Sequence, residues 1–246
     1  MTSLALTHAK FQIIETARIP IALFGSAFFP SAAMLAFVVP FVGDNAEYAT
    51  TATASMITFS VMSTNLFQYG VGVAEDRAQP WDPYVRTLPA GAGPRFAGRI
   101  LAGLALMFVS LIPVILIATF LTEATVTPAA FLITAATTVV IAIPFILMGL
   151  AIGYSMPQKA AIVVAQLLFF PLAFLGGLMT GPGLAPGFVE NLAPYLPTGG
   201  AARLMWAGVS DFPYDAGSIA ALAGWTIALG WVAVWAYRRD EGRRFS

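Results

Sequence analysis

The chain has 246 residues, 12 basic and 12 acidic side chains, and no cysteine. Charged residues make up 10% of it and apolar residues 59%, against about 25% and 45–50% in soluble domains, which excludes an ordinary water-soluble globule. Zero net charge speaks against nucleic acid as a partner, and the missing thiols exclude disulfides and thiolate metal sites.

A helix rises about 1.5 Å per residue, so about 20 apolar residues cross about 30 Å of hydrocarbon. Six segments qualify: 20–42, 52–73, 100–121, 128–153, 160–180 and 219–237. They predict an all-α membrane protein, with residues 1–246 as a single transmembrane domain. With the N-terminus inside, every Lys and Arg of the 12 except Arg203 falls in a cytoplasmic segment, while the acidic residues divide evenly. Only Lys and Arg set orientation, so both termini are expected in the cytoplasm. The first apolar run follows a long polar flank and exceeds a signal-peptide core, so no cleavage is expected.

Residues 1–19 predict an amphipathic helix on the cytoplasmic leaflet. Leu4, Phe11 and Ile14 fall on one side, and His8, Gln12, Glu15 and Thr16 cluster opposite. Lys10 and Arg18 intrude on the apolar arc, where long side chains snorkel. The link 43–51 carries Asp44 and Glu47 without a cation and reads as extracellular. In span two, Asn65 and Gln68 lie three residues apart and share a face. Amides at membrane depth tie helices together or line a substrate path, and both readings stay open here.

The polar stretch 74–99 interrupts the apolar sequence. Glu75 and Asp76 follow span two, where negative charge opposes the helix dipole. Asp82 is a good N-cap, Pro83 a good first helical residue and Pro89 a stop, which predicts a short helix over 83–88. Tyr84, Val85 and Leu88 share one of its faces, with Trp81 at its entrance. Such aromatics serve as interface anchors or rest at headgroup depth.

Pro113 and Pro144 stand inside spans three and four, where they loosen helix hydrogen bonding. The links 122–127 and 154–159 are short, the first extracellular, the second cytoplasmic. Span five carries Gln166, Phe169-Phe170-Pro171 and Gly176-Gly177. The stretch 181–218 is rich in Pro and Gly, with two short helices expected over 188–192 and 200–209. Arg203 lies outside, and Glu190, Asp211 or a lipid phosphate are its candidate partners. Trp231, Trp235 and Tyr237 form an aromatic belt at the end of span six, ahead of Arg238, Arg239, Arg243 and Arg244.

The sequence holds no Gly-x-x-x-x-Gly-Lys-Ser/Thr loop, no Gly-x-Ser-x-Gly elbow and no His-Glu-x-x-His pair. Its spans carry no clear ionisable group, whereas ion-coupled carriers place such groups there. Energy is therefore expected from elsewhere. A secondary carrier or channel with a polar site at Asn65, Gln68 and Gln166 is the alternative, and a membrane-embedded enzyme lacks its acids and bases.

The acidic start after span two, the Arg86-Thr87-Leu88-Pro89 turn, the Gln166 to Pro182 pattern and Pro194-Tyr195-Leu196-Pro197 resemble permease subunits of type-2 ATP-binding-cassette exporters. The resemblance implies that the 83–88 helix is a coupling helix docking on a separate ATPase subunit, with contacts at Glu75, Asp76, Trp81, Tyr84, Val85 and Leu88. It also implies short extracellular helices dipping back between spans five and six. A second permease copy or related permease, the lipid bilayer and a plasma-membrane location follow from it too. ATP and Mg would bind the partner subunit, and no catalytic residue, cofactor or metal is expected on this chain.

Overall fold

The computed structural model describes residues 2–18, 20–80 and 93–244, and among these all regular structure is helical. Helix α1 spans Thr2–Ala17. Helix α2 (Pro20–Ala33), a π-helical segment (Met34–Val38) and α3 (Val39–Val42) form one run. Helix α4 (Ala46–Asn65), a second π segment (Leu66–Val71) and α5 (Gly72–Ala78) form another. Helices α6 (Gly93–Leu121), α7 (Pro128–Ser155) and α8 (Gln158–Leu175) follow. The short α9 (Gly187–Leu192), a 3-10 turn (Ala193–Tyr195) and α10 (Pro197–Val209) precede α11 (Ala216–Arg244).

Local chemistry sets the helix starts. Asn45 accepts the N–H of Tyr48 at 3.0 Å and opens α4. Thr127 accepts the N–H of Ala130 at 3.2 Å, with Pro128 in the first turn of α7. Asp215 opens α11 by accepting the N–H groups of Gly217 and Ser218, each at 3.1 Å, and the Ser218 hydroxyl. The Ser218 hydroxyl first, then the Gly217 N–H, holds its carboxyl below the usual carboxylate range, with a smaller contribution from Arg203.

Among the described residues, four helices are long and apolar enough to cross a membrane: Phe96–Leu121, Pro128–Ser155, Gln158–Leu175 and Ala216–Glu241. Their outer faces are bare and oily, as at Phe120, Leu132, Leu167 and Ile227. The predicted second span differs for a physical reason. Residues 54–66 of α4 and the adjoining π segment are buried all round, because α4 packs against α2, α6, α7, α8 and α10. A helix that meets protein on every side needs no lipid-like surface, so α4 carries Ser and Thr. Most of their hydroxyls donate to the preceding turn, as Thr58 does to the Ala54 carbonyl at 2.9 Å. Others cross between helices: Thr64 and Ser110 meet at 2.9 Å, and Trp206 of α10 donates to Ser55 at 2.8 Å.

Several expected boundaries shift. The second run begins at Ala46 rather than 52 and continues to Ala78 rather than 73, so Glu75 and Asp76 sit on a helix and not in a loop. The fifth span ends at Leu175, where Gly176 caps it and Gly177 turns away at φ +76°, a conformation glycine adopts without steric cost. Pro113 and Pro144 leave α6 and α7 each assigned as one helix. Two short helices do stand between α8 and α11, and α10 packs among α4, α7 and α11.

The orientation of α1 refines the sequence expectation. Its small residues Ala5 and Ala9 are buried, His8, Gln12 and Thr16 are half-buried, and Leu4, Leu6 and Phe11 point outward. The neighbour is α6, at Gly98. A Cβ there would fall 2.6 Å from the His8 Cβ and 2.8 Å from the Ala5 carbonyl oxygen, so only a glycine permits this approach. His8, Gln12 and Thr16 of the polar arc thus face protein, while Leu4 and Phe11, with exposed Lys10, Glu15 and Arg18, face away from it and Ile14 is half-buried.

Candidate functional site

The polar stretch 74–99 leaves α5 and returns through α6. The predicted 83–88 helix, with Trp81, Tyr84, Val85 and Leu88, lies outside the described residues. Its flanks are well placed. Asp76 on α5 forms an ion pair with Arg99 on α6, which staples the two ends of the stretch together. Asp76 remains 57% exposed while Arg99 is 17% exposed, so solvent screens the pair from the acid's side only. Glu75 is exposed beside it. Tyr69, fully buried, donates to the carbonyls of Arg99 and Ile100 at 3.4 Å each.

Arg77 faces the opposite way, into the bundle. Its guanidinium donates to the carbonyls of Gly153 at 2.7 Å and Met156 at 3.1 Å, at the end of α7. It also pairs with Asp240 of α11, whose side chain is only 5% exposed. Tyr154 lies under the guanidinium, 5.9 Å from carbon to ring centroid. Three rings gather there: Phe96 and Tyr237 at 5.0 Å, Tyr154 and Tyr237 at 5.2 Å, and Phe96 and Tyr154 at 6.1 Å. Helices α5, α6, α7 and α11 therefore meet in one cluster at the end of the bundle where the polar stretch begins and ends.

Sequence reasoning missed this cluster, counting Arg77 among the cytoplasmic basic residues and giving Asp240 no role. One signal was present. Ala233, Ala236 and Asp240 fall on one buried stripe of α11, while the neighbouring Arg238 and Arg239 are exposed. An acid on the inward stripe of an apolar helix calls for a cation, but not for a particular one.

The three amides predicted as a polar path occupy different environments. Asn65 is fully buried, and its side-chain amide donates to the Val61 carbonyl at 2.7 Å and contacts the Met107 sulfur at 3.3 Å. Its carbonyl oxygen is buried without a hydrogen-bond partner. Gln68 is half-buried in the second π segment, and Gln166 is exposed at the middle of α8. The Gly153 approach keeps α7 against that π segment, since a Cβ there would fall 2.5 Å from the Tyr69 carbonyl oxygen.

Two grooves lie toward the other end. One, of about 240 Å3, runs between α3, the start of α4 and residues 178–184, and is walled by Phe37, Phe41, Met56 and Met179. The other, of about 180 Å3, lies between α4, α6 and α7, and is walled by Ile57, Phe108, Ile115 and Phe131. Neither is lined by Asn65, Gln68 or Gln166. Arg203, on α10, stands 5.7 Å from the Phe212 ring centroid and near enough to Asp215 to influence it. Among the described residues it forms no ion pair with Glu190 or Asp211. No group of three potential metal ligands occurs among the described residues.

A family model described as ABC-2 type transporter matches residues 4–198. The chain is also 21% identical over 144 residues to "Putative transport permease YvfS" of Bacillus subtilis (strain 168). That stretch covers 58% of this chain and 59% of the relative, less than two thirds of its length.

Proposed function

This chain belongs to the ABC-2 type transporter family, and on that premise we propose that it is the membrane-spanning permease subunit of an ATP-driven exporter. It is a multi-pass membrane protein, and we place it in the plasma membrane. A separate ATPase subunit holds ATP and Mg and docks on the 74–99 stretch, with Glu75, Asp76, Trp81, Tyr84, Val85 and Leu88 as its contacts. The observation that carries this reading is the cluster around Arg77. It joins the base of that stretch to α6, α7 and α11, so a force applied at the stretch has a packed path into the spans.

Six spans with both termini in the cytoplasm complete the architecture. The runs 20–42 and 46–78 serve as spans one and two, and α6, α7, α8 and α11 as the rest. The outward apolar face of α1, with Lys10 and Arg18, suits the cytoplasmic leaflet, and α9 and α10 are the short extracellular helices. A second permease copy covers the face of α8 around Gln166. This amide has no hydrogen bond among the described residues, although it stands among outward Val163, Leu167 and Phe170. An amide facing hydrocarbon finds its partner on a neighbouring helix. Asn65, bound to its own helix and to Met107, reads as a tie between α4 and α6. The carrier alternative gains nothing from these placements. Reconstitution with and without the ATPase subunit tests the proposal: ATP-dependent transport requires both.

A further inference from the structure

Arg77 does from α5 what the end of α7 cannot do for itself. The last four carbonyls of a helix lack partners within it, and two carbonyls at this end, Gly153 and Met156, share one nitrogen of the Arg77 guanidinium. The positive charge also sits at the negative end of the α7 dipole. The other terminal nitrogen holds Asp240 on the inward stripe of α11. One rigid plane of donors therefore fixes three helices relative to one another, one residue after the acid that staples the polar stretch to α6.

A buried ion pair adds little stability, because desolvation offsets much of its attraction, and apolar replacements of both partners are often neutral. What the planar fork supplies beyond packing is a fixed relative geometry of α5, α7 and α11. We propose that Arg77 and Asp240 are positioning residues of the transport cycle, the clamp through which displacement of α5 moves α7 and α11 together. This rests on the exporter reading above.

The test reads the far ends of the clamped helices. Single cysteines are placed at Phe131 near the start of α7 and at Ile219 near the start of α11, both exposed, in a chain without native cysteine. Their labelling by an impermeant maleimide is compared in the complex with its ATPase, nucleotide-free and trapped with ATP and vanadate. In the wild-type clamp, trapping changes the labelling rate at both sites. In the Arg77→Leu/Asp240→Leu double variant, which leaves no lone buried charge, the change is lost although the ATPase remains bound and hydrolyses ATP. A double variant that responds like wild type overturns the clamp. Should the double variant fail to accumulate, Arg77→Lys decides, since a single ammonium keeps the charge but not the fork. A weakened response supports the proposal, and an undiminished one overturns it. A wild-type complex that shows no response to nucleotide counts instead against the exporter reading, and the clamp falls with it.

Discussion

Arg77 and Asp240, separated by 163 positions in the chain, pair inside the bundle while the same guanidinium closes the end of α7. The neighbouring pair, Asp76 with Arg99, differs at the acid: Asp76 is 57% exposed and Asp240 5%, while Arg99 and Arg77 are alike at 17% and 16%. The two pairs are close together and differ in the burial of the acid, so they compare a buried carboxylate with an exposed one.

Asp240→Ala takes the buried carboxylate from the Arg77 guanidinium, which still bonds the Gly153 and Met156 carbonyls, and should destabilise the protein by about 3 kcal/mol. Asp76→Ala, which removes a 57% exposed carboxylate, should cost less. Thermal unfolding in detergent, followed by tryptophan fluorescence, compares them. Equal losses would mean that the burial difference carries no energetic weight.

The proposed topology rests on the distribution of Lys and Arg and is open to chemical labelling. Single cysteines at Glu47, Glu123 and Asp211 should react with impermeant reagents on intact cells. Cysteines at Arg86, Lys159 and Arg238 should react only once the membrane is opened. External labelling at position 86 would reverse the orientation and remove the ATPase from its proposed contact.

Gly98→Val should push α1 off α6, because its first side-chain carbon collides with Ala5 and His8. Overpacking of this kind costs about 1–3 kcal/mol. A cysteine at the buried Ala9 should label slowly in the parent and faster in the variant. Unchanged labelling would show that α1 is not held through this contact.

Gln166→Leu removes the outward amide of α8. An interhelical amide pair in membranes is worth about 1 kcal/mol, so self-association should weaken roughly fivefold. Energy transfer between labelled chains in vesicles measures it. Unaltered association would move the second copy to another face.

The helices were legible because runs of apolar residues and capping side chains are local signals. Pro128 marks a start that the structure keeps, whereas the Asn45 cap, inside the expected link 43–51, is a start that the sequence reading passed over. The second apolar run was legible as a helix but not in its length, since its polar ends are held by contacts with helices distant in sequence. Neither π segment left a trace in composition. The Arg77–Asp240 pair was invisible for the same reason: an inward acid announces a need for a cation, and only tertiary packing selects which one answers it. The aromatic anchors Trp81 and Tyr84 lie outside the described residues, so their role rests on the sequence pattern alone.

Coupling to an ATPase is the centre of this account, and co-purification measures it most directly. The wild-type chain and the Trp81→Ala/Tyr84→Ala/Leu88→Ala variant are each expressed with the ATPase subunit and isolated from membranes. Loss of a buried aromatic anchor costs on the order of 2 kcal/mol, roughly thirtyfold in affinity. The account predicts that wild type retains the ATPase and drives ATP-dependent transport, whereas the variant reaches the membrane normally and loses both. Undiminished ATPase binding with full transport by the variant would contradict it.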